Sequence, residues 1–447
     1  MYFGERRGAQ TRLLAWRHLM SGLYDLGTGS SGRSLRSLTR RLYRLLPQSL
    51  RQTGFRHLTS MMAPRPPQKS GQGKREPGLI IVGEFSLPTG LGQAARLIRD
   101  GARSTGVPVW TIDVSRIVPG GNGQAPPPEV HLNDYPPNVP LVLQVNPPTL
   151  PWTLLHLPRG LLIGRRVIGS WVWELEHAPK TWRSAAPFVH EVWAPSHFVA
   201  NALKSCFTGP IRYVPYPVAT VETSPARLIR TDFGLPDDRT IVMAAIALHS
   251  SPARKNAEGV IQAFKAAASE RKDMQLLLKV SGQHAFPADM ETLQAVIAGD
   301  PAIHIEDRVM PSADMQALLR CSDVVLSMHR SEGFGLVLAE AMLAGIPVVA
   351  TDWSATAEFI DASCGFPVPY RLVPVHDPRR VYTAPGAQWA EPNPAAAASS
   401  LRCLVANPDL RRALGAQGAR KVRDRFSSDA LANALEPALG WDRVDLR

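Results

Sequence analysis

The chain has 447 residues, 45% of them hydrophobic, which is enough for two or three domains with well-buried cores. Its formal net charge of +12 is unevenly placed, because residues 1–76 carry 15 Lys and Arg against 3 Asp and Glu. The net charge of residues 77–447 is therefore about zero. This balance excludes a protein that binds nucleic acid over its whole surface.

The cysteine pattern indicates a reducing, cytoplasmic location. Four cysteines are scattered, with no Cys-x-x-Cys pair and no histidine cluster at ligand spacing, so we predict neither a disulfide framework nor a metal site.

No apolar run approaches the ~18 residues that a membrane span needs. Arg12 and Arg17 interrupt the leucines near the start, which is unlike a signal peptide.

Residues 1–76 are predicted to be a basic extension. Leucines recur at helical spacing within 11–23 and 34–46, with arginines between them. Such helices gain ~1 kcal/mol per basic residue near an anionic membrane, so we predict peripheral membrane contact through residues 1–60. The composition of 62–77 is that of a linker. A disordered leader, a later start at Met20 or Met61, and a nucleic-acid-binding arm are the alternatives.

Residues 323–350 form the most informative stretch. An apolar run, a glycine-containing turn, a helical pattern and a second apolar run predict a strand–helix–strand unit of a parallel sheet. Glu332 lies in the turn and Glu340 in the helix. If the separation were wholly helical, the two would lie ~12 Å apart along the axis. That span suits an activated sugar nucleotide, and the amides around Gly333 and Gly335 favour an anion.

Residues 331–348 read S-E-G-F-G-L-x-L-A-E-A-M-x-x-G-x-P-V. This pattern resembles the E-x7-E motif of the family-four retaining glycosyltransferases. The resemblance implies the α/β GT-B fold, in which two Rossmann-like domains with parallel sheets face each other across a cleft. Without it, two solvated glutamates on a surface helix are an equally good interpretation.

The resemblance extends toward the N-terminus. The strand 78–83 precedes a loop, 86–96, that is similar to the S-x-x-x-G-x-G-x-x-A-R loop of the family's acceptor domain. Residues 166–174 resemble the W-x-W-E segment of its polysaccharide mannosyltransferases, and 389–392 resemble their W-A-E-P. Gln144 departs from the histidine that many relatives have. Residues 108–113, 130–133 and 141–146 are predicted to be further strands.

A basic segment connects the predicted strand 240–248 to the predicted helix 257–268. A cationic side chain there can neutralise a diphosphate. The resemblance places Lys255 on the family's lysine, whereas Ser250 stands where an arginine is usual. Arg254 either supplies the positive charge of that missing arginine or is a solvated side chain. Glu174 is either catalytic or a structural carboxylate beside the tryptophans.

The resemblance implies three catalytic residues, Glu332, Lys255 and Glu174, and no metal or cofactor. The implied donor-binding residues lie in three segments: Glu340, Gly333, Phe334, Gly335, Leu336 and His329 in and before the motif; Arg254 and Ser250 in the basic segment; Gly90 and Gly92 in the first loop.

The implied reaction moves a sugar, by preference mannose, from a nucleotide diphosphate to a saccharide or lipid-linked saccharide acceptor. It would serve cell-surface polysaccharide or lipopolysaccharide assembly at the inner face of the membrane. The predicted acceptor domain covers 77–225, the nucleotide-sugar domain 226–426, and a final helix, 427–447, crosses back. An NAD-linked Rossmann enzyme and a non-catalytic saccharide-binding relative are the alternatives.

Overall fold

The computed structural model describes residues 48–67, 77–118, 129–220, 225–382 and 384–439. The predicted basic helices within 11–23 and 34–46 lie outside these ranges. In the described part, no helix combines the length and the apolar character that crossing a membrane requires.

The first unit is built on six parallel strands in the order β2-β1-β3-β4-β5-β6. The inner strands β1, β3, β4 and β5 are buried throughout, whereas the edge strands β2 and β6 are partly exposed, as expected for a sheet with both faces covered. The strands are β1 (Leu79–Gly83), β2 (Val109–Asp113), β3 (Leu141–Gln144), β4 (Val167–Ser170), β5 (Glu191–Ala194) and β6 (Ile211–Tyr213), and the helices are α1 (Gln48–Met62), α2 (Gly90–Ser104), α3 (Leu150–Leu155) and α4 (His197–Leu203).

The predicted strand over 130–133 is wrong. Residues Leu132–Asp134 form a single 3-10 turn instead. Prolines at 126–128 and 136–137 flank this segment, and proline cannot donate the backbone hydrogen bonds of a sheet. The apolar character of Val130 and Leu132 was therefore a poor indicator of a strand.

The second unit has six parallel strands in the order β12-β11-β10-β7-β8-β9. In a doubly wound sheet of this order, ligands bind beyond the carboxyl ends of β7 and β10, where the winding direction reverses. The strands are β7 (Thr240–Ala247), β8 (Met274–Ser281), β9 (Ile303–Glu306), β10 (Val324–Ser327), β11 (Val348–Thr351) and β12 (Gly365–Val368), and the helices are α5 (Pro252–Lys255), α6 (Ala257–Ala268), α7 (Pro287–Ile297), α8 (Ser312–Arg320) and α9 (Leu336–Leu343).

A hairpin and three helices complete the chain. The antiparallel hairpin pairs β13 (Tyr370–Pro374) with β14 (Gln388–Pro392). The helices are α10 (Pro394–Ala406), α11 (Pro408–Arg425) and α12 (Ser428–Leu439). Helix α12 returns to the first unit, where Leu431 packs at Gly101 of α2.

Part of the predicted extension lies on the first unit. Phe55 of α1 is 7% exposed and its ring centroid lies 5.4 Å from that of Trp152. Ala63 is buried, and the Pro67 carbonyl oxygen lies 2.8 Å from Nε2 of His190. We therefore assign residues 48–67 to the first unit rather than to an extension and linker. The composition of residues 48–67 did not predict this packing, because few apolar residues make the contacts.

Helix α11 supports α9 from behind through a glycine contact. A Cβ at Gly415 would lie 1.8 Å from the carbonyl oxygen of Gly345, which follows α9. Real atoms never approach so closely, so any larger residue must separate the two helices.

Gly415→Ala should lower the free energy of unfolding by about 1–3 kcal/mol, because the clash outweighs alanine's higher helix propensity. Gly54→Ala in α1 is the matched control, since nothing lies within 4 Å of its added Cβ. Thermal or urea unfolding should show the control equal to or more stable than the wild type. A Gly415→Ala protein of wild-type stability would contradict the close contact.

Candidate active site

The carboxyl ends of β7 and β10 bring the two predicted charged segments together. The chain after β7 forms α5, and the chain after β10 forms the loop 328–335. The Arg330 backbone N–H donates to the Arg254 carbonyl at 2.9 Å, and Arg254 Nη1 donates to the Ser331 carbonyl at 2.7 Å. The winding of the sheet thus places the basic segment and the glutamate turn side by side.

Glu332 is held by two cations. Its Oε1 lies 2.6 Å from Lys255 Nζ and 3.1 Å from Arg254 Nη1. Burial alone would raise the pKa of Glu332, but Lys255 and Arg254 hold it well below its usual value. The carboxylate is therefore ionised at neutral pH, and Lys255 keeps some solvent access, with its side chain 19% exposed.

Arg254 acts inside this cluster rather than as a solvated charge. It is 2% exposed, and its Nη2 donates to Ser250 Oγ at 2.6 Å. The same Nη2 lies 3.9 Å from Glu174 Oε1. In this structure Ser250 contacts Arg254, so the residue in place of the usual arginine orients a different arginine.

Glu174 comes from the first unit, four residues after β4. Its side chain is 20% exposed, and burial raises its pKa, while Arg254 and a hydrogen bond from Tyr382 oppose that rise. Sequence reasoning missed Tyr382. The only signal near it was the tryptophan of the 389–392 segment, which gives no indication of a contact with residue 174.

The glycines of the motif let the turn lie against the first unit. A Cβ at Gly333 would lie 2.5 Å from Cγ2 of Val172, and Ser196 Oγ donates to the Gly333 carbonyl at 2.9 Å. Gly335 has φ +93°, which only glycine adopts readily, and α9 begins after it at Leu336. The separation of Glu332 from Glu340 is therefore not wholly helical.

Phe334 uses its side chain for packing. Its ring centroid lies 5.0 Å from that of Tyr216 in the first unit and 5.0 Å from that of Phe426. It is 4% exposed, so only its backbone remains for the predicted donor contact.

Glu340 reaches across to the first unit. Its Oε1 accepts a hydrogen bond from Gln93 Nε2 of α2 at 3.3 Å. Burial raises the pKa of Glu340 to about 7, although the Gln93 bond and the charge of Arg96 lower it. Near neutral pH this glutamate is therefore poised between its protonated and ionised forms.

The first glycine loop begins α2. Thr89 caps the helix by accepting from the Gly92 N–H at 3.0 Å, and it donates to Glu84 Oε2 at 3.0 Å. A Cβ at Gly92 would lie 2.4 Å from the Leu87 carbonyl oxygen, whereas Gly90 has open space around it. Gly90 is thus exposed at the helix N-terminus, while the Gly92 N–H is committed to the cap.

Two polar residues that the sequence analysis singled out, His329 and Gln144, are fully buried. His329 Nδ1 lies 2.9 Å from Ser327 Oγ and its Nε2 lies 3.0 Å from Thr356 Oγ1, so a donor contact would have to replace one of these bonds. Burial lowers the pKa of His329 to about 4, which keeps it neutral. Gln144 is 0% exposed at the end of β3 and faces the Tyr216 hydroxyl.

Among the residues that the structure describes, no group of three or more His, Cys, Asp or Glu side chains is arranged to hold a metal ion. Cys206, Cys321 and Cys364 are buried, and none of the four cysteines forms a disulfide.

Comparison with known proteins finds a family match within the second unit. Residues 239–384 match the family described as Glycosyl transferases group 1. This part of the chain is similar to a group 1 glycosyltransferase domain. It contains Lys255, Glu332 and Glu340.

Two relatives are similar over less than half of their length. N-acetyl-alpha-D-glucosaminyl L-malate synthase of Bacillus anthracis is 28% identical over 214 residues, which cover 46% of this chain and 47% of that protein. D-inositol 3-phosphate glycosyltransferase of Jonesia denitrificans is 30% identical over 188 residues, which cover 40% and 39%. These relatives support the glycosyltransferase assignment without distinguishing a mannosyltransferase branch.

The fold is confirmed by solved structures. Sucrose-phosphate synthase from Thermosynechococcus elongatus superposes with a TM-score of 0.57 at 17% identity, covering 81% of this chain and 98% of that one. The two six-stranded parallel sheets are those of the GT-B fold, as the motif resemblance implied.

Glu340 should make the stability of the protein depend on pH. Its pKa rises from 4.5 to about 7 on folding, so the folded state binds more protons in this interval and stability falls as pH rises through it. The free energy of unfolding should fall by an amount on the order of 2 kcal/mol as the pH rises through this interval. We expect Glu340→Gln to abolish this component when urea unfolding is measured from pH 4 to 8.

Other carboxyl groups titrate in the same pH interval, so the contribution of Glu340 is the difference between the stability curves of the wild type and of Glu340→Gln. Gln93→Ala should move the wild-type component to higher pH, since it removes a hydrogen bond that favours ionised Glu340. Wild-type and Glu340→Gln curves that stay parallel would contradict the raised pKa.

Proposed function

We propose that the protein is a retaining glycosyltransferase that moves a sugar from a nucleotide diphosphate to a saccharide acceptor. The observation that carries this proposal is the cluster of Glu332, Lys255 and Arg254 at the reversal point of the second sheet, inside the group 1 domain. Glu340 follows on the helix that starts from the same turn. Together they offer contacts to a sugar, a diphosphate and a ribose.

Electrostatics would stabilise the leaving group. Lys255 has the solvent access to meet a diphosphate, and the start of α9, with the amides from Gly333 to Leu336, favours the same anion. The C1–oxygen bond breaks with its electron pair on the diphosphate, and the acceptor oxygen bonds C1 on the same face. The acceptor's proton passes to the leaving phosphate oxygen. This chemistry requires neither a metal nor a cofactor.

Glu332 would hold the transferred sugar rather than attack it. Its two cations keep it ionised and fixed, so its oxygens can accept hydrogen bonds from sugar hydroxyls. Arg254 orients Glu332, because its Nη1 and Nη2 are engaged by Glu332, Ser331 and Ser250. Glu174, brought in from the first unit, is placed to accept a hydrogen bond from the acceptor hydroxyl.

The two units would divide the substrates. We assign residues 77–225 to the acceptor and 226–426 to the nucleotide sugar, with the segment after residue 427 crossing back. Mannose is the sugar we favour, from the resemblance of 166–174 and 389–392 to polysaccharide mannosyltransferases. The acceptor would be a saccharide or lipid-linked saccharide of cell-surface polysaccharide, met at the cytoplasmic face of the membrane.

A binding panel tests this proposal. One sugar nucleotide among GDP-mannose, UDP-glucose and related donors should raise the melting temperature, and Glu340→Ala should weaken its binding by about 1–3 kcal/mol through lost ribose hydrogen bonds. Calorimetry with the same donor measures the loss. Glu258→Ala, on the exposed side of α6, is the control and should bind normally.

The panel also distinguishes the alternatives. Stabilisation by NAD but by no sugar nucleotide would indicate an NAD-linked enzyme. Donor binding without transfer of labelled sugar to any saccharide would indicate a non-catalytic relative. Retention is read from the anomeric signal of the product by NMR.

Membrane contact remains a proposal that rests on composition. Residues 1–47 contain nine arginines and two acidic residues. Deleting them should release the protein from anionic phosphatidylserine vesicles in a cosedimentation assay, while donor binding is unchanged. Vesicles of phosphatidylcholine alone are the control. Vesicle binding that survives the deletion would refute the role, and salt-steep RNA or DNA binding lost with it would favour a nucleic-acid arm.

A further inference from the structure

The hairpin that follows the second sheet reaches into the site from outside both sheets. We call residues 370–382 together with 384–392 the strap. Its Tyr382 is 5% exposed, with its ring centroid 5.2 Å from that of Trp173 in the first unit and 5.9 Å from that of Trp389. The strap thus fixes one tyrosine between the two units.

One carboxylate, Asp377, sets the path of the strap. Its Oδ1 accepts from Ser251 Oγ at 3.0 Å, and its Oδ2 accepts from the backbone N–H groups of Val381 at 2.7 Å and Tyr382 at 3.1 Å. Ser251 in turn accepts from the Arg254 N–H through its carbonyl at 3.1 Å. Asp377 therefore ties the backbone of Tyr382 to the turn that carries Arg254.

Tyr382 meets the catalytic cluster with both its ring and its hydroxyl. Its ring centroid lies 5.9 Å from Arg254 Cζ, and its hydroxyl lies close enough to the Glu174 carboxylate to lower the pKa of that group. The nearest Arg254 nitrogen is 3.9 Å from Glu174, which is beyond hydrogen-bond length. Glu174 also lies on an irregular segment after β4, and the Tyr382 hydroxyl is the neighbouring donor placed to orient it.

We propose that the strap completes the active site and that its Tyr382 is a positioning residue for Glu174. The proposal rests on the proposed function, because Glu174 is placed there to receive the acceptor hydroxyl. With the Tyr382 hydroxyl bound, the carboxylate has one fixed direction in which to accept a further hydrogen bond. Acceptor placement then depends on a segment that belongs to the donor unit.

Loss of the Tyr382 hydroxyl should change the titration of Glu174. The charged and titratable groups that face Glu174 are Arg254 and Lys255 from α5, Glu332 from the loop after β10, Tyr382 from the strap and Tyr216 from the segment after β6. Burial raises the pKa of Glu174, and the Tyr382 hydroxyl lowers it by favouring the ionised form. Removing the hydroxyl should therefore raise this pKa.

The experiment compares Tyr382→Phe with the wild type and with Tyr370→Phe. Tyr370 lies on the same strap but is 37% exposed and packs on Trp353, outside the Glu174 cluster. Tyr382→Phe should lower kcat or raise the acceptor KM about tenfold and leave the donor KM within about twofold. The acidic limb of its kcat/KM profile should move to higher pH by about half a unit to one unit. Tyr370→Phe should match the wild type.

A second measurement needs no turnover. NMR of selectively labelled glutamate in the substrate-free protein should show the Glu174 pKa raised in Tyr382→Phe, and raised in Asp377→Ala, which loses the acceptor for the Val381 and Tyr382 N–H groups. If Asp377→Ala does not fold, Tyr382→Phe alone decides. An unchanged Glu174 pKa overturns the proposal, and so does a pH profile identical to that of the wild type. If the wild type transfers no sugar while the pKa shift is present, the proposed function fails and the positioning contact stands.

Discussion

The buried carboxylate of Glu332 and its two cations organise the centre of the molecule. Burying any of these charges alone would cost several kcal/mol, so each requires the others to be in place. Arg254, at 2% exposure, has Glu332 and the Ser331 carbonyl as partners on the neighbouring loop. The loops after β7 and β10 must therefore align closely, and this alignment fixes where α9 begins and where Glu340 points.

The same topological feature positions the facing side of the site. In the first sheet the winding reverses between β1 and β3, where the loop of Thr89 and Gly90 follows β1 and the buried Gln144 ends β3. The two units are joined by polar bonds, from Gln93 near the first reversal point to Glu340 and from Ser196 after β5 to Gly333. Each unit presents its ligand-binding edge to the other, and Arg254 has Glu332 of the second unit beside its Nη1 and Glu174 of the first unit nearest its Nη2.

Local patterns predicted the elements, and long-range contacts set the rest. The helix over 257–268 is found at Ala257–Ala268, because its apolar spacing and the capping Asn256 are local signals. The motif glutamates were found because their spacing is also local. Nothing near Tyr382 indicates Glu174, which lies more than 200 residues earlier in the chain. The packing of α1 through Phe55 and the role of Ser250 toward Arg254 likewise depend on neighbours that the sequence does not identify.

Helix α12 has a consequence for how the protein is made. Leu431 packs at Gly101, so α2 of the first unit is covered by a helix that follows the whole second unit in the chain. During translation the first unit leaves the ribosome before that helix does, and an apolar face of α2 remains uncovered until α12 has emerged. The two units therefore cannot complete their folding one after the other, as consecutive domains usually do. A ribosome stalled within α11 should hold a first unit that is compact but unfinished at α2.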